Sequence, residues 1–114
     1  MEVIKMKKRI DTKMYDTEKA KRINEYTPYG IYSVTDLKWF KETLYRKRTG
    51  EFFLYGEGYA GSKYHFPCPA GGCEAGYKII PLTFDEAKEW YEKLLNNKWL
   101  DGTEKQYKEL FELD

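Results

Sequence analysis

The sequence has few of the features that define several large classes of protein. Only 2 of its 114 residues are cysteine, which excludes a scaffold built on disulfides. No apolar run approaches the length needed to span a bilayer, and residues 1–9 lack the apolar centre of a signal peptide. No internal repeat or low-complexity tract is present. We therefore expect a cytoplasmic protein that makes no contact with a membrane.

Aromatic side chains are abundant instead. They make up 18% of the residues, with 11 tyrosines, 6 phenylalanines and 3 tryptophans, in a chain that is 41% hydrophobic. Each buried aromatic ring removes a large apolar area from water, so even a short chain can form a stable core. The composition predicts a single domain over residues 1–114.

Charge is distributed unevenly along the chain. The formal net charge is only +1, yet residues 1–50 contain 13 lysines and arginines against 7 acidic residues. Residues 51–114 contain 7 against 12. A basic half and an acidic half indicate a bipolar surface suited to charged partners. Two ordinary solvated faces would produce the same pattern.

The segment after residue 15 predicts a helix. Asp16 or Thr17 is a typical N-cap residue, and the helix would cover residues 18–26. Ala20 and Ile23 would face inward. A tyrosine-rich connection follows.

Four segments predict strands. Residues 9–15 and 77–82 are short candidates. Residues 37–47 and 51–55 flank a glycine-containing turn and therefore predict a β-hairpin. On the first hairpin strand, one face carries Trp39, Thr43 and Tyr45 and the other carries Phe40 and Leu44. On the second, Phe52 and Leu54 face opposite to Phe53 and Tyr55.

Two helices are predicted at the C-terminal end. Thr83 and Glu86 have the spacing of a capping box, and Thr103 and Gln106 repeat it. Apolar residues at helical spacing follow each box: Ala87, Trp90, Tyr91, Leu94 and Leu95 in the first helix, and Tyr107, Leu110 and Phe111 in the second. The sequence therefore predicts an α+β fold, in which a small antiparallel sheet of three to four strands has helices packed on one face.

A glycine- and proline-rich loop over residues 56–76 contains the candidate metal site. His65, Cys68 and Cys73 lie within nine positions, and zinc prefers thiolate and imidazole ligands at short spacing. We predict that these three residues bind a structural zinc ion. The fourth ligand would be a carboxylate, from Glu74, Glu57, Asp36 or Asp11, or a group from a second chain. Two reduced cysteines beside a surface histidine, or a local disulfide, are the alternatives.

The sequence contains no recognisable catalytic constellation. Nucleophilic catalysis needs a base and an orienting group, and nothing indicates that His65 activates Cys68. No glycine pattern lies between a strand and a helix as in phosphate-binding loops. We expect a binding protein and not an enzyme, with a hydrolase that uses an open zinc position as a weaker alternative.

Two charged surfaces are candidate partner-binding sites. Lys41, Arg46, Lys47 and Arg48 accompany aromatic residues on the predicted hairpin, a combination that binds nucleic acid, although lysines also protect exposed sheet edges. A second set is acidic and lies on the first C-terminal helix: Glu86, Glu89 and Glu92. This set would imitate phosphates and occupy the basic groove of a nucleic-acid enzyme, or would be the solvated side of an amphipathic helix.

Several segments resemble small proteins carried by phages and integrative elements of Gram-positive bacteria. The resemblance lies in residues 8–20 (KRIDTKMYDTEKA), 42–46 (ETLYR), 50–58 (GEFFLYGEG), 62–64 (SKY) and 80–83 (IPLT). It implies a mobile-element accessory protein. Some proteins of this type are anti-CRISPR inhibitors of type II effector nucleases, so the resemblance allows that activity.

These observations lead to two main functional hypotheses. The first is a phage or mobile-element inhibitor that binds a host defence nuclease, such as an RNA-guided DNA nuclease, and blocks DNA loading or cleavage. The second is a zinc-stabilised regulator that binds nucleic acid through the predicted hairpin.

Overall fold

The computed structural model describes residues 6–27, 37–97 and 103–112. The strands are β1 Lys7–Ile10, β2 Lys13–Asp16, β3 Lys21–Tyr26, β4 Phe40–Arg46, β5 Phe52–Gly58, β6 Phe66–Pro67, β7 Cys73–Glu74 and β8 Gly76–Leu82. The helices are α1 Phe84–Asn97 and α2 Thr103–Phe111. Most of the predicted tyrosine-rich connection, from residue 28 onward, lies outside the described residues.

A four-stranded antiparallel sheet with the order β3-β4-β5-β8 is the centre of the fold. The β4–β5 pair is the predicted hairpin, with Leu44 opposite Leu54 and Tyr45 opposite Phe53. Strand β5 continues to Gly58, three residues beyond the prediction. The α+β prediction is confirmed, since the two helices pack on this sheet.

One face of the sheet forms a core with the helices. Leu44, Phe52 and Leu54 contribute from the central strands. Alternating residues of a strand point to opposite faces, so these even-numbered residues share one side. The two predicted helical stripes meet them with Ala87, Tyr91 and Leu94 of α1 and Phe111 of α2. Phe111 stacks on Phe52 with ring centroids 5.5 Å apart, which fixes α2 against the sheet.

The opposite face forms a second core beneath the β1–β2 hairpin. Tyr45, Phe53 and Tyr55 point to this side, as the alternation predicts, and Ile79 joins them from β8. Tyr15 of β2 packs edge-on against Phe53 with centroids 5.4 Å apart. The molecule therefore has three layers, which are the two helices, the central sheet and the N-terminal hairpin.

The predicted helix over residues 18–26 is wrong. The segment forms a turn after Asp16 and then strand β3, which pairs with the edge of β4. Asp16 Oδ1 does accept the backbone N–H of Glu18 at 2.9 Å, as an N-cap would. The same bond closes an Asx-turn, so the local signal did not distinguish the two structures. Ile23 is buried, but against the helices and on a strand.

The predicted strand over residues 9–15 is interrupted by a tight turn. Asp11 and Thr12 have positive φ angles of 49° and 67°, the conformation of a type I′ turn between paired strands. This turn converts the predicted single strand into the β1–β2 hairpin. A β-branched residue rarely adopts a positive φ, so Thr12 gave no turn signal.

The capping box before α1 is confirmed. The backbone N–H of Thr83 donates to Glu86 Oε1 at 2.9 Å, and that of Glu86 donates to Thr83 Oγ1 at 3.1 Å. Gln106 of α2 has a tertiary role, since its side chain binds the backbone oxygen of Ile23 at 3.1 Å and the hydroxyl of Tyr91. Neither helix, as far as the structure describes it, is long and apolar enough to cross a membrane.

Candidate functional site

A buried carboxylate lies on the helical face of the sheet. Glu42 of β4 has only 5% of its surface exposed, although it lies between the apolar residues Phe40 and Leu44 on the same face of the strand. Burying a charge costs free energy unless hydrogen bonds and ion pairs replace the lost water. The groups that bind the Glu42 carboxylate therefore indicate its role.

Three donors from outside β4 bind the Glu42 carboxylate. Trp90 Nε1 of α1 donates to Oε1 at 3.0 Å. The hydroxyl of Tyr64 donates to Oε2, and the ammonium nitrogen of Lys63 lies 2.8 Å from the same oxygen. Two neutral donors and one cation thus replace the solvation of the charge.

Glycine in β5 makes room for Tyr64. Gly56 lies directly opposite Glu42 in the β4–β5 ladder. A Cβ added at Gly56 would collide with the Tyr64 ring. Because position 56 has no side chain, the ring lies over the backbone of β5 and its hydroxyl reaches the neighbouring strand.

Burial and the adjacent carboxylate together raise the pKa of Tyr64 well above its usual range. Burial is the larger cause, and the hydrogen bond to Glu42 and the carboxylate's negative charge add to it. A tyrosine is protonated at physiological pH even without this shift, and the raised pKa keeps Tyr64 a donor in alkaline solution as well. Tyr64 holds the carboxylate in one orientation.

A cleft of about 580 Å³ opens above Glu42, and we call it the Glu42 cleft. The sheet provides its floor, α1 provides one wall, and Lys63 and Tyr64 form its end. The lining residues are Tyr26, Phe40, Glu42, Leu54, Lys63, Tyr64, Lys78, Ile80, Leu82, Glu86, Glu89, Trp90 and Lys93. Seven of these residues are aromatic or aliphatic and six are charged, and ligand sites combine apolar walls with placed polar groups.

The three predicted acidic residues are not equivalent. Glu86 and Glu89 both line the Glu42 cleft. Glu86 is also committed to the capping box. Glu92 faces the other helix, where its Oε1 accepts the hydroxyl of Tyr107 at 2.8 Å. Glu89 is exposed on α1.

Three of the four predicted basic residues already have intramolecular contacts. Lys41 lies 3.7 Å from Glu57, and Lys47 lies 3.0 Å from Glu51. Lys47 also lies over the Tyr15 ring, 4.6 Å from its centroid. The guanidinium of Arg46 lies 5.0 Å above the Phe52 ring, and its Nε donates to the oxygen of Gly50. Arg48 is exposed in the β4–β5 turn.

The structure brings a second basic segment to the end of β4. A depression of about 380 Å³ lies there. Its lining residues are Lys19, Ala20 and Lys21 together with the predicted Arg46, Lys47 and Arg48. Lys21 and Arg46 are cross-strand partners in the β3–β4 ladder. Like charges opposite each other are destabilising, so this cluster favours an anionic ligand. Lys41 is not among its lining residues.

The structure does not bring the predicted zinc ligands together. His65 Nδ1 lies 2.7 Å from the backbone oxygen of Ser62, Cys68 is half-buried, and Cys73 is exposed. Both thiols are free, at the end of a short β6–β7 hairpin. Within residues 6–27, 37–97 and 103–112, no three histidine, cysteine or acidic residues are placed to share a metal ion. Asp36, one candidate fourth ligand, lies outside this range.

Sequence reasoning missed Glu42, Lys63, Tyr64 and Trp90 as a group. One signal was available, because Glu42 lies between Phe40 and Leu44 on a face predicted to be apolar. A charged residue at such a position requires buried partners. The identity of those partners had no sequence signal, since Tyr64 and Trp90 are 22 and 48 residues away.

Comparison with protein-family models, with curated proteins and with solved structures finds no match for this chain.

Proposed function

We propose that this protein is a phage or mobile-element inhibitor that binds a host defence nuclease, an RNA-guided DNA nuclease of the type II class. It acts in the cytoplasm of the host bacterium by blocking DNA loading or cleavage and catalyses no reaction itself. The family resemblance of the sequence and the acidic surface of the helices support this function.

The acidic helical layer is the observation that carries the proposal. Across residues 84–97 and 103–112, seven carboxylates are exposed: Asp85, Glu86, Glu89, Glu92, Glu104, Glu109 and Glu112. The same segments contain four lysines. The N-terminal hairpin on the other side of the sheet is basic, with Lys7, Lys8, Arg9 and Lys13. The charge asymmetry of the sequence thus becomes a separation of charge across the layers.

An acidic surface of this kind competes with DNA for a basic groove. Complementary charge accelerates association and selects the partner. The internal contacts of Lys41, Arg46 and Lys47 make them less available to a partner, so the helical side is the favoured contact. Glu89 is the most informative residue, because Glu86 and Glu92 have structural hydrogen bonds.

A binding and cleavage assay with the purified nuclease tests the proposal. We expect the protein to co-purify with the nuclease and to suppress cleavage of target DNA. Glu89→Lys should weaken inhibition about tenfold, because it would place a positive charge against the basic groove. Glu18→Lys, the same charge change at an exposed position in the turn before β3, is the matched control. Undiminished cleavage at large molar excess of the wild-type protein would reject the proposal.

A second candidate function is nucleic-acid binding at the basic depression between β3 and β4. The unfavourable Lys21–Arg46 pair favours it, since a phosphate backbone would relieve the repulsion. Binding of DNA or RNA should weaken steeply with salt and on replacing Lys21 and Arg46 with glutamine. Flat titrations at low salt would exclude this function. The zinc predicted for His65, Cys68 and Cys73 belongs to this candidate as a structural ion.

A further inference from the structure

The ammonium group of Lys63 lies in a cage formed by two rings and one carboxylate. Its nitrogen is 2.8 Å from Glu42 Oε2, 4.8 Å from the centroid of the Phe40 ring and 5.5 Å from that of the Tyr64 ring. Cations within about 6 Å of an aromatic centroid are attracted by its negative face. The Lys63 ammonium group thus shows that this cage accepts the side chain of a lysine.

The cage is held in place by contacts that do not involve Lys63. Trp90 and Tyr64 both donate to the Glu42 carboxylate. The Phe40 ring packs between Tyr26 at 6.2 Å and Tyr64 at 6.1 Å. Removal of the ammonium would therefore leave a preformed site whose carboxylate keeps two neutral donors.

Lys63 itself is loosely held. Its side chain is 58% exposed, whereas that of Glu42 is 6% exposed. The lysine keeps much of its hydration, whereas its departure would leave a buried carboxylate without its cation, so the exchange is favourable when another cation takes its place. The occupant is largely solvated, whereas the carboxylate that it contacts is buried.

The charges that line the Glu42 cleft favour a cationic occupant at its floor, next to Glu42. Glu42 is the buried charge there, and Glu86 and Glu89 lie along the wall formed by α1. An anion placed at the floor would face a carboxylate in a low-dielectric environment, which is strongly unfavourable. Lys78 and Lys93 also line the cleft, and both are exposed to solvent.

We propose that Phe40, Glu42 and Tyr64 form a receptor for a lysine side chain of a partner protein, and that Lys63 occupies it in the unbound protein. The partner's lysine displaces Lys63, and its aliphatic stem lies along Leu54, Ile80 and Trp90. The identity of the partner that supplies this lysine rests on the proposed function. Since Lys63 competes from within the chain, the partner needs further contacts to displace it.

Titration of the isolated protein with n-butylammonium tests the receptor without any nuclease. The indole N–H of Trp90 is the reporter, because it donates to Glu42, and its ¹⁵N–¹H cross-peak is assigned from the Trp90→Phe variant. Lys63→Met removes the resident ammonium group, so n-butylammonium has no internal competitor for the carboxylate and this cross-peak should shift and saturate. Wild type should need about tenfold more n-butylammonium, because Lys63 competes from within the chain at a high effective concentration. Ionic strength is held constant, and 1-butanol is the neutral control.

Lys13→Met is the matched control variant, since it also removes one lysine and one ion pair, with Glu51, but on the other side of the sheet. It should titrate like wild type. An equal gain in Lys13→Met, an equal response to 1-butanol, or no saturation in Lys63→Met would overturn the proposal. Tighter binding of butylguanidinium than of n-butylammonium would overturn the assignment to lysine.

Failure of the receptor and failure of the proposed function give different results. Loss of n-butylammonium binding with intact nuclease inhibition rejects the receptor alone. Saturable binding by Lys63→Met with no effect on any nuclease rejects the inhibitor function, and with it the identity of the partner.

Discussion

Trp90 in helix α1 donates a 3.0 Å hydrogen bond to the buried carboxylate of Glu42 in strand β4. This bond joins the helical layer to the sheet at the floor of the cleft. It also orients the carboxylate that Tyr64 and Lys63 share. The stability of the fold and the geometry of the candidate site therefore depend on the same contact.

Replacement of the Trp90 indole tests this contact. Trp90→Phe keeps an aromatic ring and removes the donor, and a lost hydrogen bond to a charged group should lower the free energy of unfolding by about 2 kcal/mol. Urea denaturation measures the change. Trp39→Phe is the control, because Trp39 is also half-buried but packs against Tyr59 outside the cleft. An equal decrease in the free energy of unfolding in the two variants would show that the hydrogen bond to Glu42 does not stabilise the fold.

Gly56→Ala tests the close approach of Tyr64 to β5. The added methyl group collides with the ring, so Tyr64 must move away from Glu42, and overpacking of this kind costs about 2 kcal/mol. In a Tyr64→Leu background the same substitution should cost much less. A double-mutant cycle from thermal unfolding measures the coupling. Additive effects would mean that the collision is not the cause.

Alkaline pH should destabilise the protein through its buried tyrosines. Burial and the nearby Glu57 raise the pKa of Tyr55 to about 12, and the pKa of Tyr64 is raised further. In the unfolded chain both groups lose a proton near their ordinary pKa of about 10, while in the folded protein they keep it. The unfolded state then binds fewer protons, so stability falls as the pH rises above 10.

Unfolding by urea at pH 8 and pH 11 measures this fall. Tyr55→Phe removes one of the shifted groups and should make the decrease between the two pH values smaller. Tyrosinate absorbance at 295 nm should show that some tyrosines ionise only when the protein unfolds. A single titration of all tyrosines near pH 10 in folded protein would contradict the prediction.

Reversal of the Lys21 charge should stabilise the protein. Lys21→Glu replaces a repulsive cross-strand pair with an attractive one to Arg46, which is worth about 0.5 kcal/mol. Arg22→Glu is the matched control, because Arg22 already pairs with Glu25 at 2.7 Å and its reversal should not stabilise. Thermal unfolding at low salt measures both variants, and the gain should shrink at high salt. A lower melting temperature for Lys21→Glu would refute the argument that Lys21 and Arg46 repel each other at the basic depression.

Metal analysis of untagged protein decides the zinc prediction. Binding by His65, Cys68 and Cys73 requires the β6–β7 hairpin to rearrange, since the structure does not place the three side chains together. The expected result is about one equivalent of zinc per chain, lost when both cysteines are changed to serine. Less than about a tenth of an equivalent in the wild-type protein would reject the site.

Local patterns predicted the elements whose signals are complete within a few residues. The β4–β5 hairpin follows from alternating side chains around a glycine turn, and α1 from a capping box followed by an apolar stripe. The helix prediction for the segment after Asp16 was wrong, because an Asx-turn and an N-cap use the same hydrogen bond. Pairing with the edge of β4 then decided that residues 21–26 form a strand.

Short-range periodicity and turn chemistry were enough to predict the α+β class, the facing of the central hairpin and the two C-terminal helices. Tertiary structure decided the three-layer arrangement, the convergence of Lys21 with Arg46, and the burial of Glu42. A buried carboxylate is tolerated only where donors from distant segments reach it. Tyr64 and Trp90 meet at Glu42 because the sheet and α1 bring them there, and no local pattern encodes that meeting.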